Sequence, residues 1–206
     1  RGIASFLIDG TKAGFERLAP YDLIGSHAIG TGGFRLNNYL ASNADLLAPA
    51  GEGFSAALAT INEARTYVAS MCCAMVEASL RTAIDYASER ESFGRPTIEH
   101  QGLSWQLARV ANQLEAARAL TTNAITVIQG GDNEAAILPA AHAKKFATEF
   151  VEPALIACTQ AMGANGLKEE FLLGHRLTAA RVANYVDGST EIMTDRIAKS
   201  LRSTYT

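Results

Sequence analysis

The spacing of apolar residues changes once along the chain. Through residue 50 the apolar runs are short and cut by turn signals. Ile3, Phe6, Leu7 and Ile8 stop at Asp9-Gly10, Gly14-Phe15-Glu16-Arg17-Leu18 alternates, and Phe34 to Leu40 alternates again after Gly30-Thr31-Gly32-Gly33. Alternation with period two marks half-buried strands. Residues 1–50 therefore read as several short strands, too few to close a barrel or cover both faces of a sheet. From Gly53 the period becomes helical, with Phe54, Leu58, Ile61, Val68, Met71 and Met75 in step and no Pro or Gly before Arg90. Phe93-Gly94-Arg95-Pro96 ends this helix, Gly as a C-terminal cap and Pro as a breaker.

A second helix carries Leu103, Leu107, Val110, Leu114 and Ala117 and stops at Gly130-Gly131-Asp132. The third starts near Asn133-Glu134, carries Ile137, Ala141, Phe146, Phe150, Ala154, Leu155 and Cys158, and ends at Gly163. Two shorter helical pieces follow, around 167–179 and 188–203. The predicted fold is mainly α: a four-helix up-down bundle, its fourth member built from the shorter pieces, preceded by a partial antiparallel β segment. The boundary falls near Pro49-Ala50-Gly51, dividing 1–50 from 51–206. No internal repeat or low-complexity segment interrupts this pattern.

Composition narrows the function. The 206 residues are 48% hydrophobic and 19% charged with a formal net charge of -3, a globular composition without the clustered Lys and Arg of a nucleic-acid binder. Apolar runs are too short to span a bilayer, and no signal peptide pattern opens the chain. Arg1 stands where a methionine would begin a gene product, inside an apolar run, so the sequence reads as cut from a longer polypeptide. Cys72, Cys73 and Cys158 fit neither a metal spacing nor a disulfide framework and read as small core residues in a reducing compartment, which makes a cytoplasmic location the expectation. His27, His100, His142 and His175 are too scattered for a metal site.

Generic catalytic motifs are missing: no nucleophile elbow, no zinc-protease helix, no paired CxxC. Gly30-Thr31-Gly32-Gly33 is followed by a strand pattern where a dinucleotide fingerprint needs a helix. Three polar segments remain at predicted helix ends. They are Glu89-Arg90-Glu91-Ser92-Phe93-Gly94-Arg95-Pro96 with Ile98-Glu99-His100-Gln101, then Gln160-Ala161-Met162-Gly163-Ala164-Asn165-Gly166, then Asn184-Tyr185-Val186-Asp187-Gly188-Ser189-Thr190-Glu191-Ile192.

In this order and at these separations the three segments resemble the C-terminal half of the acyl-CoA dehydrogenase family. Ile3 to Ile8 is similar to the family's strand leaving its flavin-binding β domain. Gly51-Glu52-Gly53-Phe54 is similar to the start of its first long helix. The resemblance covers essentially the whole chain, and the ordered set is far more specific than any one segment.

The resemblance implies an FAD-dependent enzyme that oxidises an acyl-CoA to the 2-enoyl-CoA, assembled as a dimer or tetramer and passing electrons to an electron-transfer flavoprotein or similar acceptor. It places Asp187 as the catalytic base, where the family keeps a glutamate that takes the α-proton while the β-hydrogen leaves as hydride to flavin N5. A desolvated, well-placed carboxylate suits that task, and the backbone N–H at the same position helps bind the thioester oxygen. Aspartate shortens the reach by on the order of 1 Å, a displacement that costs about a hundredfold. The same Asp-Gly-Ser-Thr-Glu run also suits a helix N-cap.

By the same resemblance Arg90, Ser92, Phe93, Gln101, Gln160, Gly163, Ala164, Ser189 and Glu191 would contact FAD, several across a subunit interface. An arginine's permanent charge and planar donor fork suit a diphosphate, although a cation at a helix C-terminus needs no ligand to be favourable. Ala164 stands where the family usually has a second glycine, and Gly163 and Gly166 also fit an ordinary helix end. Arg65, Val186 and Gly188 fall on the substrate side, with a structural salt bridge an equal reading for Arg65. Val186 departs from the aromatic residue common before the base. A superfamily branch that oxidises nitroalkanes uses aspartate as its base, so a nitroalkane-oxidase-like oxidase is one alternative. A non-catalytic oligomerisation portion or degenerate subunit is the other.

Overall fold

Residues 2–25 and 30–206 are described by the computed structural model, so the expectation for His27 lies outside the described residues. The chain divides into two units, Arg1–Ile61 and Asn62–Thr206.

The first unit holds β1 (Ser5–Phe6), β2 (Phe15–Pro20), β3 (Gly32–Leu36) and β4 (Leu46–Ala48). These form two separate antiparallel pairs, β1 with β4 and β2 with β3. Both the alternation at Gly14–Leu18 and that after Gly33 mark real strands. In their register Arg17 faces Phe34 and Phe15 faces Leu36, and the Phe15 and Phe34 rings stack with centroids 5.3 Å apart. The Ile3–Ile8 run shrinks to a two-residue strand with an irregular register at Ser5/Phe6. Backbone crowding fixes one glycine here: a Cβ on Gly53 would lie 2.7 Å from the carbonyl carbon of Ala4, closer than any side chain tolerates.

Helix α1 (Gly53–Glu89) runs 37 residues. After it come β5 (Glu91–Ser92), β6 (Arg95–Pro96), α2 (Gln101–Gln129), α3 (Ile137–Ala161), α4 (Leu173–Ala183) and α5 (Thr190–Tyr205). In the second unit α3 is central, packing against α2, α4 and α5. Its buried stripe of Ala143, Ala147, Val151, Leu155 and Cys158 joins one core with Val68, Cys72, Val76 and Ala83 of α1 and Leu107, Val110, Leu114 and Ala117 of α2. Spacings of three and four put each set on one helix face. The many small residues let the helix axes approach closely.

The buried stripe of α1 keeps Val68 of the one expected, with Met75 packed against it, but departs from it elsewhere. Met71 is 38% exposed and Phe54 58%, while Cys72 and Val76 are fully buried. Large apolar side chains drew the sequence reading one residue away from a core face built of Val, Cys and Ala. The three thiols are free and buried. Burial pushes Cys72 up to about 12 and Cys158 up to about 11, which keeps them as inert thiols rather than nucleophiles.

Three element boundaries also move. Phe93-Gly94 is not a helix cap but the turn of the β5–β6 hairpin, with Glu91 opposite Pro96 and Ser92 opposite Arg95. Both turn residues have positive φ, 54° and 81°, the pattern of a two-residue primed turn. Helix α3 begins at Ile137 rather than near Asn133, because the Asp132 carboxylate accepts from the Glu134 and Ala135 N–H groups and holds a turn there. The piece expected at 167–179 splits at Leu172, whose φ of 56° separates a 3-10 turn from α4. Pro153 sits inside α3 on its exposed side, where the carbonyl it leaves unpaired meets water.

Candidate active site

The loop between α4 and α5 carries Asp187, and the chain bends sharply to present it. Asp187 has φ 54° and Gly188 φ 93°, two consecutive left-handed residues. A non-glycine residue there costs roughly 1 kcal/mol, with Asp among the more tolerant types. Such a conformation persists only where the surroundings impose it, and here they do so through the carbonyls. Arg65 Nε donates to the Asp187 carbonyl at 3.1 Å. Lys144 Nζ donates to the carbonyls of Val186 and Gly188. Three successive carbonyl oxygens are thus turned onto two buried cations.

Both cations are deeply placed. Arg65 is 3% exposed and Lys144 0%. Arg65 also donates from Nη1 to the Asn62 side-chain oxygen at 2.8 Å, so its partners are an amide and a carbonyl. Among the described residues it makes no ion pair, which corrects the salt-bridge reading. Burial lowers its pKa, Arg196 lowers it further, and Asp187 acts in the opposite sense. Arg196 adds a third cation nearby, its Nε buried without a hydrogen-bond partner among the described residues. Lys144 is pushed down to about 8, chiefly by burial, with Asp187 opposing.

The two flanks of the loop are tied to α3 and to each other. Asn184 donates to Glu152 Oε1 at 3.0 Å, and its own side-chain oxygen accepts from Thr190 Oγ1 at 3.1 Å. Thr148 Oγ1 lies 3.2 Å from Thr190 Oγ1. Ser189, not Asp187, is the N-cap of α5, accepting from the Ile192 N–H at 3.4 Å. The cap that the run offers is thus made by Ser189 and does not account for Asp187. Ser189 also lowers the Glu191 pKa by hydrogen bonding.

The remaining predicted residues gather at the other end of the second unit. Arg90 is exposed just beyond α1, Gln101 opens α2 and Gln160 closes α3 on the exposed side. His100 organises the hairpin between them, with Nε2 2.9 Å from the Ser92 carbonyl oxygen and Nδ1 3.2 Å from Arg95 Nη2. This leaves Phe93 at the turn tip 97% exposed. Asn165 donates to the Tyr86 hydroxyl at 2.7 Å and ties the Gly163-Ala164 turn to α1. Gly163 has φ 59°, and a Cβ there would meet nothing within 4 Å, whereas a Cβ on Gly166 would lie 2.6 Å from the Thr159 carbonyl oxygen. Packing thus accounts for Gly166, while the Gly163-Ala164 surface is open. An exposed arginine, two glutamines and a bare aromatic ring fit a ligand that is both anionic and flat.

The predicted site residues therefore form two groups. Arg65, Val186, Asp187, Gly188, Ser189 and Glu191 make one; Arg90, Ser92, Phe93, Gln101, Gln160, Gly163 and Ala164 make the other. Along α1, Arg65 and Arg90 are 25 positions apart, about 37 Å at the helical rise. Lys144 and Thr148 were missed by sequence reasoning, and Asn184 was noted only as the start of the third segment. Lys144 had a signal: it falls on the core stripe of α3 between Ala140 and Ala147, where a charge is out of place. Among the described residues no cluster of His, Cys, Asp or Glu is arranged to hold a metal, and no helix is long and apolar enough to cross a membrane.

Fold and loop define a helical bundle whose last helix is reached through a carboxylate-bearing turn gripped by buried cations. The profile described as "Acyl-CoA dehydrogenase, C-terminal domain" matches residues 51–202, and the chain belongs to the acyl-CoA dehydrogenase family. The short/branched chain specific acyl-CoA dehydrogenase of Bos taurus mitochondria is 30% identical over 205 residues, 100% of this chain and 47% of that protein. An acyl-CoA dehydrogenase of Bacillus subtilis is 32% identical over 200 residues, 97% of this chain and 52% of that protein. The butyryl-CoA dehydrogenase structure from Megasphaera elsdenii superposes with a TM-score of 0.92 at 27% identity, covering 98% of this chain and 52% of that one. The chain spans about half the length of the curated relatives it matches.

Proposed function

We propose that this chain supplies the base-bearing helical half of an FAD-dependent acyl-CoA dehydrogenase, with Asp187 removing the α-proton of the thioester. The observation that carries the reading is the Asp187 loop itself: a carboxylate in a left-handed conformation, not used as a cap, whose carbonyl and both neighbouring carbonyls are held by Arg65 and Lys144. Such a grip fixes the backbone from which the side chain projects before substrate arrives, and preorganisation of this kind supports proton transfer. Arg65 and Lys144 bring two buried cations against the loop backbone, with Arg196 beside Arg65.

When bound, the flavin would take the β-hydrogen of the substrate as hydride. Arg90, Gln101, Gln160 and the open Gly163-Ala164 turn would hold its diphosphate and adenosine portion, and Phe93 would pack against a ring. Ser189 and Glu191 would face it from the group around Asp187. The separation of about 37 Å along α1 supports a shared site, in which one protomer's Arg90 end meets its partner's Asp187 loop. The protein is accordingly a homo-oligomer, and an electron-transfer flavoprotein or similar acceptor removes the electrons.

Aspartate at 187 keeps a second reading in play, an oxidase of the nitroalkane-oxidase type. The test is the Asp187→Asn variant of the longest polypeptide containing this chain, loaded with FAD and assayed with acyl-CoAs under nitrogen and in air. Asn tolerates the left-handed conformation, so folding is retained. Turnover should fall by about 10²- to 10⁴-fold, the usual contribution of a general base. Unchanged turnover would remove Asp187 from the role, and rapid reoxidation in air with a nitroalkane would favour the oxidase.

A further inference from the structure

Among the described residues, Lys144 is a buried lysine that no ion pair explains. Its side chain is 0% exposed, and among the described residues no carboxylate lies within salt-bridge distance of its ammonium. Burying a cation without a counter-ion is expensive. The groups that offset the cost are the carbonyl oxygens of Val186 and Gly188, which bracket the candidate base.

We propose that Lys144 is the positioning residue of this site: its ammonium captures the two carbonyls on either side of Asp187 and so sets the backbone from which the base is presented. This rests on the reading of Asp187 as the base. Geometry makes the link direct. With the carbonyls of 186 and 188 drawn to one point and that of 187 drawn to Arg65, the intervening peptides must turn through the two left-handed residues observed. The grip is anchored, because the Lys144 carbonyl accepts from Thr148 Oγ1 at 2.9 Å and Thr148 in turn meets Thr190 across the loop. Lys144 itself need not touch substrate.

The charged and titratable groups that act on Lys144 are Asp187 on the loop, Arg65 and Cys72 on α1, and Glu191 on α5. Burial and Arg65 bring its proton loss down to about pH 8. Charge-assisted hydrogen bonds are about twice as strong as neutral ones. The loop therefore loosens as pH rises past that point, although the fold persists.

Amide hydrogen exchange on the full chain, corrected for intrinsic rates, tests this in wild type, Lys144→Met and Lys144→Arg. In Lys144→Met, exchange across residues 184–190 should rise at least tenfold while that of α2 stays unchanged. In wild type the same segment should lose protection above about pH 8, and in Lys144→Arg, whose cation does not titrate in this range, that alkaline onset should vanish. In the FAD-loaded parent, Lys144→Met should lower kcat with little change in KM, and the wild-type rate should share the alkaline onset. Protection of 184–190 unchanged in a folded Lys144→Met, or an onset that persists in Lys144→Arg, overturns the proposal. If Lys144→Met does not fold, the wild-type and Lys144→Arg profiles decide alone. A loop that responds as expected in a protein with no acyl-CoA turnover would instead sink the dehydrogenase reading and leave the grip intact.

Discussion

Gly188 offers a clean test of how tightly the loop is specified. Its φ of 93° is unfavourable for any residue with a Cβ, and a Cβ there would lie 3.1 Å from Met193 Cε and 3.5 Å from Arg65 Nη2. The methionine end is flexible and can give a few tenths of an ångström at little cost. The backbone cannot, so Gly188→Ala carries about 1–3 kcal/mol of strain, partly offset by about 0.4–1 kcal/mol from the less mobile unfolded chain. The expected net loss is about 1–2 kcal/mol. For a chain of this size that lowers Tm by about 2–8 °C. The control is Gly102→Ala, in α2 with nothing within 4 Å of its Cβ position, where the gain in helix propensity should raise stability by up to about 1 kcal/mol. Urea and thermal unfolding of both variants should show opposite signs at unchanged m. A Gly188→Ala protein as stable as wild type would mean that the left-handed turn is not a fixed feature, and the two cations would then have no single loop conformation to hold.

Leu155 is fully buried in the central helix, so Leu155→Ala should cost about 2–5 kcal/mol; a loss under 1 kcal/mol in chemical denaturation would show that α3 is not the centre of the core. Lys144 carries a pH signature in stability. It releases its proton near pH 8 folded, against 10.5 for the ordinary group. Between those values the unfolded chain binds more protons, so this contribution rises with pH, by about 3 kcal/mol over the whole window. Wild type should therefore gain on Lys144→Met as pH climbs from 8 to 10. The gain is compatible with a looser loop, because a neutral amine is cheaper to bury yet holds carbonyls less tightly. A constant difference in urea midpoints across that range would refute the lowered pKa.

The bundle was legible because its signals are periodic. Leu107, Val110, Leu114 and Ala117 mark α2 by spacing alone, and Gly130-Gly131 closes it. The α1 core was read less well, since Ala, Cys and Val carry less apolar weight than the exposed Phe54 and Met71 although they decide the packing. The hairpin at 91–96 was hidden because Gly94 and Pro96 punctuate a helix end and a turn alike, and only strand pairing separates the two. The segments of the site were legible as ordered motifs. Their separation into two groups was not, because Gln160 lies nearer to Asp187 than to Arg90 in sequence, yet in the fold it joins Arg90 while the Asp187 loop stands apart. Lys144 escaped for a different reason. Its neighbour Lys145 pairs with Glu149 at 2.6 Å on the surface, and the Lys-Lys pair reads as one solvated patch unless each residue is placed on the helical wheel.

An aspartate one methylene shorter than glutamate puts more weight on the backbone that carries it. A longer side chain can correct a displaced Cα by rotating about an extra bond; aspartate has only two torsions with which to do so. The loop supplies the missing constraint by holding the carbonyls of Val186, Asp187 and Gly188 at once. It draws those holds from two helices, Arg65 on α1 and Lys144 on α3, so the position of Asp187 is triangulated by the bundle rather than by the loop's own turn. Loss of either cation would thus free part of the backbone that carries Asp187. On the proposed reading of Asp187 as the base, where about 1 Å would cost about a hundredfold, the interior lysine and arginine would decide whether aspartate can serve there.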